Sequence, residues 1–132
     1  MFKPDTDPFN SNPAILVVED EVLLRMVVCE LLRDAGFRVI EAATADEALA
    51  CVQSDSGIEL VFSDVKMPGE MDGLALAERL RSEFPHIKVV LVSGHLLGTD
   101  VGGGAILITK PYPIEETVAR LIALLDAKRA AR

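Results

Sequence analysis

Asp64 closes an apolar run, Ile58-Glu59-Leu60-Val61-Phe62-Ser63, and Val65-Lys66-Met67-Pro68-Gly69 follows at once. A carboxylate at the end of a buried strand is costly unless a group outside the sheet uses it. Three more apolar runs end in the same manner. Ile15-Leu16-Val17-Val18 leads into Glu19-Asp20-Glu21, and Val89-Val90-Leu91-Val92 leads into Ser93-Gly94-His95. Ala105-Ile106-Leu107-Ile108 passes through Thr109 into Lys110-Pro111. Acids, a hydroxyl and a lysine are thus delivered to strand ends. Oxygen ligands without His or Cys favour a hard cation that keeps several waters, Mg²⁺ or Mn²⁺. A cation beside Asp64 would hold an incoming phosphoryl group and neutralise charge as it transfers. Lys110 would offer a point charge to one phosphoryl oxygen and Ser93 a hydroxyl donor to another. Taken singly, these residues have ordinary readings. Asp20 or Glu21 is a plausible helix cap, Ser93 a turn residue and Lys110 a surface lysine. Together they read as a phosphoryl-acceptor site.

Such a site needs elements that bring the strand ends to one edge. Strands are expected at Ile15 to Val18, Arg38 to Glu41, Leu60 to Phe62, Lys88 to Val92 and Ala105 to Ile108. Lys88 apart, all but the second are apolar throughout, as parallel strands buried on two faces are. Helices are expected at Glu21 to Ala35, Ala45 to Ser54, Gly73 to Phe84 and Pro113 to Lys128. In the first, Leu24, Val27, Val28, Leu31 and Leu32 form the expected core stripe, with Gly36 as a stop. This alternation predicts a doubly wound α/β fold, a five-stranded parallel sheet of flavodoxin-like order 2-1-3-4-5. That order sets the ends of strands one and three side by side, so Glu19, Asp20 and Asp64 become neighbours. Two carboxylates about 5 Å apart repel by roughly 3 kcal/mol at an effective dielectric near 20, which calls for a counter-ion. Between Ser93 and Lys110 lies Leu96-Leu97-Gly98-Thr99-Asp100-Val101-Gly102-Gly103-Gly104. Glycine disfavours helix by about 1 kcal/mol per residue, so the fourth helix is expected to be short or disordered.

At 132 residues the chain is one domain. Residues 1 to 13, with Pro4, Pro8 and Pro13, read as a flexible lead-in to a domain over 14–130. The formal net charge of -8 argues against a nucleic-acid backbone or an anionic membrane as a direct partner. No apolar segment approaches the roughly 20 residues that span a bilayer. The start, Met1-Phe2-Lys3-Pro4-Asp5, is not a secretory signal. Cys29 and Cys51 lack metal or redox spacing and read as reduced thiols, so a cytoplasmic location is expected.

The chain resembles the receiver domain of two-component response regulators from Ala14 to about Lys128. The resemblance is carried by Val17-Val18-Glu19-Asp20-Glu21, Asp64-Val65-Lys66-Met67-Pro68, Met71-Asp72-Gly73, Val92-Ser93-Gly94 and Lys110-Pro111-Tyr112. It implies that Asp64 is the phosphoacceptor, served by a phosphohistidine of a sensor histidine kinase or histidine phosphotransfer protein. It implies Asp20 and Asp64 as direct Mg²⁺ ligands, Glu19 as a ligand through water, and the Lys66 backbone carbonyl as a further ligand. Ser93 and Lys110 become the hydroxyl and lysine that hold the phosphoryl group, and a cis peptide is implied before Pro111. Three departures stand out. Leu107 occupies the position where the family often has an aromatic switch residue. The stretch from Ser93 to Lys110 is Gly-rich, and Gly69-Glu70 lengthens the loop after Asp64 by one residue. Lys66 and His95 flank the phosphoryl path and are candidates to control attacking water; both also read as plain loop residues.

The chain has no segment resembling a helix-turn-helix after its last helix. It therefore reads as a stand-alone response regulator that signals by binding a protein target. It would not be an enzyme beyond its own phosphorylation and dephosphorylation. A phosphate sink or shuttle without a target, or a non-phosphorylated receiver-like binding module, is the alternative. An aspartyl phosphatase would need a second acid two residues beyond its nucleophile, where Lys66 stands. A flavin carrier would want a Gly-rich phosphate loop where Glu19-Asp20-Glu21 stands.

Overall fold

Short β-branched runs separated by amphipathic stretches build a sheet layered between helices. The computed structural model describes residues 13–94 and 105–130. In chain order the elements are β1 (Ala14–Val18), α1 (Val22–Asp34), β2 (Arg38–Ala42), α2 (Ala45–Ser54) and β3 (Ile58–Asp64). They continue with α3 (Gly73–Glu83), β4 (Lys88–Ser93), β5 (Ile106–Thr109) and α4 (Ile114–Ala130). The five strands form one sheet of order β2-β1-β3-β4-β5, and every neighbouring pair is parallel. This is the expected doubly wound fold.

Alternate side chains of each strand feed two cores. Leu16, Val61 and Leu91 face α2 and α3, where Ala48, Val52, Leu76 and Leu80 are buried. Ile15, Val17, Phe62 and Val92 face α1 and α4, which contribute Val28, Leu32, Leu121 and Leu125. Burial on both faces explains why β1, β3 and β4 are so largely apolar. β5 is a sheet edge, and Ile106, Leu107 and Ile108 are only half-buried, in contrast to the expected full burial.

The helix starts follow local chemistry. Thr44 Oγ1 accepts from the Glu47 amide at 3.1 Å and caps α2, and Glu47 Oε1 accepts from the amide of Ala43, just before the cap, at 3.1 Å. Asp72 Oδ1 accepts from the Ala75 amide at 2.8 Å and caps α3. On α1 the core stripe is displaced from the expected one. Val28, Cys29 and Leu32 are buried, whereas Val27 is exposed, because the stripe is centred one residue later than the apolar count suggests. The expected lead-in lies outside the described residues except for Pro13, which is buried. The expected short or disordered fourth helix over 96–104 also lies outside them.

Candidate functional site

The sheet order reverses between β1 and β3, and in parallel sheets a crevice opens there beyond the carboxyl ends of the strands. β1 ends at Val18, so Glu19 and Asp20 follow directly; β3 ends on Asp64 itself. Val18 pairs with Ser63, one residue short of Asp64, which fixes the two acid-bearing ends at the same height. One carboxylate oxygen from each of Glu19, Asp20 and Asp64 lies within 4.8 Å of the others. Glu19 is buried, Asp64 half-buried and Asp20 exposed.

Across the crevice, Lys110 follows β5 and extends its ammonium to 2.6 Å from Asp64 Oδ2 and 3.8 Å from Glu19 Oε1. The Lys110 amide donates to the Ser93 carbonyl at 2.8 Å, which ties the end of β5 to that of β4. The Lys110–Pro111 peptide is cis, as the resemblance implies. Ser93 is the last residue of β4 and is buried; the neighbouring Val92 pairs with Asp64. The strands thus bring Glu19, Asp20, Asp64, Ser93 and Lys110 to one end of the sheet. Lys66 is exposed, and its amide points at Asp64 Oδ1 at 3.4 Å. Leu107 is half-buried and packs on the α2–α3 side of the sheet. His95 lies outside the described residues.

The charges are mutually dependent. Burial pushes the Glu19 carboxyl above its ordinary value, only partly opposed by the hydrogen bond its Oε2 accepts from the Glu21 amide at 3.1 Å. Burial alone would lower the Lys110 pKa, but the hydrogen bond and charge of Asp64, with Glu19 and Glu21, hold it above the usual lysine value. Tyr112 packs edge-on to Phe62 at 5.9 Å, and burial beside Glu19 and Asp64 pushes its phenol up to about 12. Among the described residues the donor set is three carboxylates with no imidazole or thiolate, which fits a hard divalent cation.

Two features go beyond the sequence reading. Arg25 of α1 turns back to the Glu19 carbonyl at 2.7 Å. At the opposite end of the sheet, Glu59 is buried within β3, and Lys128 of α4 donates to its carbonyl at 3.3 Å and to that of His86. The Lys128 contacts join residues far apart in the chain, and only an acid inside an apolar run hinted at them.

The response regulator receiver domain family matches this chain over residues 15–121. The chain belongs to that family. The probable transcriptional regulatory protein TcrX of Mycobacterium tuberculosis is 37% identical over 117 residues, 84% of this chain and 49% of the relative. The sensor kinase CckA of Brucella abortus is 41% identical over 125 residues, 89% of this chain but 13% of that protein. This chain thus spans half or less of the length of these two curated relatives. Among solved structures, a CheY-like receiver domain protein from Methanospirillum hungatei superposes with a TM-score of 0.82 at 26% identity, covering 92% of this chain and 99% of that one. The response regulator TrrA of Thermotoga maritima, solved in complex with Mg(2+)-BeF, gives a TM-score of 0.74 at 27% identity, covering 85% and 98%. Receiver domains of this family accept phosphoryl groups and bind Mg²⁺ in an acidic site. They interact with kinases or phosphotransfer proteins. Among the described residues no helix is long and apolar enough to cross a membrane.

Proposed function

We propose that this protein accepts a phosphoryl group on Asp64 from a histidine kinase or histidine phosphotransfer protein, and signals by binding a protein target in the cytoplasm. The observation that carries the reading is the Lys110 ammonium at 2.6 Å from Asp64 Oδ2, opposite the Glu19–Asp20 pair. A carboxylate oxygen of Asp64 attacks phosphorus, the bond from phosphorus to the donor imidazole breaks, and the imidazole leaves with the electron pair. Asp64 becomes an acyl phosphate. Lys110 then holds a phosphoryl oxygen in place of the Asp64 oxygen, and the Ser93 hydroxyl donates to another. Asp20, Asp64, the Lys66 carbonyl and, through water, Glu19 would hold Mg²⁺. When bound, the ion supplies positive charge to the transferring group. The Lys66 side chain and His95 are assigned to control of attacking water during dephosphorylation, the one further reaction of the site.

Support for a protein donor comes from α1, which begins two residues after Asp20. Its first two turns expose Val22, Leu23, Met26 and Val27 at 54, 73, 54 and 44%. A histidine-bearing partner that passes over this edge to Asp64 would cover these side chains and gain an apolar footing. Residues 14–130 form the proposed functional unit. A phosphate sink without a target of its own is the second reading; it predicts no partner whose affinity rises on phosphorylation.

Beryllofluoride with Mg²⁺ tests the reading, as a stable stand-in for an aspartyl phosphate. A ligand at about 100 times its Kd adds roughly 2.7 kcal/mol of stability, so the melting temperature of the wild type should rise by several degrees. D64N should show no rise. An equal rise in both proteins would place the anion elsewhere.

A further inference from the structure

Arg25 stands one turn into α1, and its side chain runs back toward the turn that carries the acids. Nη1 donates to the Glu19 carbonyl at 2.7 Å, and Nε donates to Glu41 Oε1 at 3.1 Å on the edge strand β2. Arg33 holds the other Glu41 oxygen at 3.1 Å. The Arg25 side chain is only 17% exposed, and it lines a small cavity together with Glu19, Asp64 and Tyr112.

The start of α1 differs from the other capped helices. Thr44 and Asp72 cap α2 and α3 with side-chain hydrogen bonds, whereas Glu21 makes none at the N-cap of α1. The β1–α1 turn is held from the other direction. The Glu19 amide donates to the Ala42 carbonyl at 3.0 Å, and the Glu19 carbonyl accepts from Arg25. That carbonyl belongs to the peptide joining Glu19 to Asp20. Fixing it fixes the direction in which both carboxylates leave the backbone, one buried and one exposed.

We infer that Arg25 is a positioning residue for the divalent-cation site, orienting the Glu19–Asp20 peptide from a brace on Glu41. The inference rests on the reading that Glu19, Asp20 and Asp64 hold a cation. Groups that orient metal ligands from behind change affinity by about 10- to 100-fold when removed. A charged donor on a shielded carbonyl is also stronger than a neutral one.

The test is Mn²⁺ affinity of the full chain, read from the electron paramagnetic resonance of free Mn²⁺, beside melting temperatures in metal-free buffer. R25A should weaken Mn²⁺ binding by about 10-fold, and R25K, which keeps a donor for the carbonyl, should recover to within about 3-fold of the wild type. R33A removes only the distal brace and should stay within about 2-fold, whatever its melting temperature. Wild-type affinity in a destabilised R25A, or equal losses in R25A and R33A, would make Arg25 merely structural and overturn the inference. Should R25A fail to fold, E41Q takes its place: about a 3-fold loss supports the brace, and wild-type affinity in both E41Q and R25K contradicts it. Absence of Mn²⁺ binding by the wild type would overturn the cation reading itself, an outcome distinct from a silent R25A.

Discussion

Gly73, the first residue of α3, lies against the backbone of Asp64: a Cβ at position 73 would fall 2.1 Å from the Asp64 carbonyl oxygen. It would also meet the Val65 Cα at 2.8 Å, while the Gly73 amide donates to the Val65 carbonyl at 2.8 Å. These neighbours are backbone atoms and cannot rotate away. Gly73→Ala must therefore drive α3 off the end of β3, and overpacking of this kind costs about 1–3 kcal/mol. Urea denaturation should show that loss, with slower labelling of Asp64 by acetyl phosphate. Wild-type stability and labelling together would contradict the close approach.

Lys110 and a divalent cation compete for the same carboxylates. Removing the ammonium by Lys110→Ala deprives Asp64 and Glu19 of their ion-pair partner. Cation affinity should therefore rise, by roughly 10-fold for about 1.4 kcal/mol of relieved repulsion at short range. Phosphorylation should slow, because the transferred group loses its lysine partner. Titration with Mn²⁺ and a labelling time course read the two effects separately. A fall in both would mean that Lys110 organises the site and does not compete within it.

Away from the site, Arg38 grips Asp55 at the C-terminal end of α2 through two hydrogen bonds, 2.7 and 3.1 Å. The hydrogen bond from Arg38 holds the Asp55 carboxyl below its ordinary value, helped by the Gly57 amide. A lowered folded-state pKa contributes stability that is present above the unfolded value and disappears as pH falls through the folded one. Asp55→Asn should cost about 1 kcal/mol at pH 7, and the gap to the wild type should close in acid below pH 4. Denaturant melts across that range check it. A gap independent of pH would assign the effect to packing.

How much of this was legible beforehand follows the reach of each interaction. Asp64, Glu19, Asp20, Ser93 and Lys110 announced themselves because each ends an apolar run, and parallel pairing brings run ends together. The sheet order followed from the same alternation. Val27 misled because an apolar residue beside Val28 satisfies the helical count on either side of the true stripe. Arg25 gave no warning because its partners are a main-chain carbonyl and Glu41, a residue on another strand. Lys128 read as a helix-end residue, yet it reaches Glu59 across the bottom of the sheet.

That displaced stripe leaves Leu23 the most exposed of the four α1 apolar residues, at 73%. Leu23→Glu should leave labelling by acetyl phosphate unchanged and slow transfer from a phosphorylated histidine kinase that labels the wild type by at least about 10-fold, the loss of an interface contact worth roughly 1.4 kcal/mol. Equal slowing with both donors would place the effect in the site, and no slowing with either would remove α1 from the docking face.

The most direct measurement is intact mass after incubation with Mg²⁺ and acetyl phosphate, for the wild type and Asp64→Asn, with a further sample in chelator. Phosphorylation at Asp64 predicts the gain of one phosphoryl group by the wild type in Mg²⁺ alone, and none by Asp64→Asn. No gain by the wild type, beside a receiver that labels under the same conditions, or an equal gain by Asp64→Asn, would contradict the assignment of Asp64 as the acceptor.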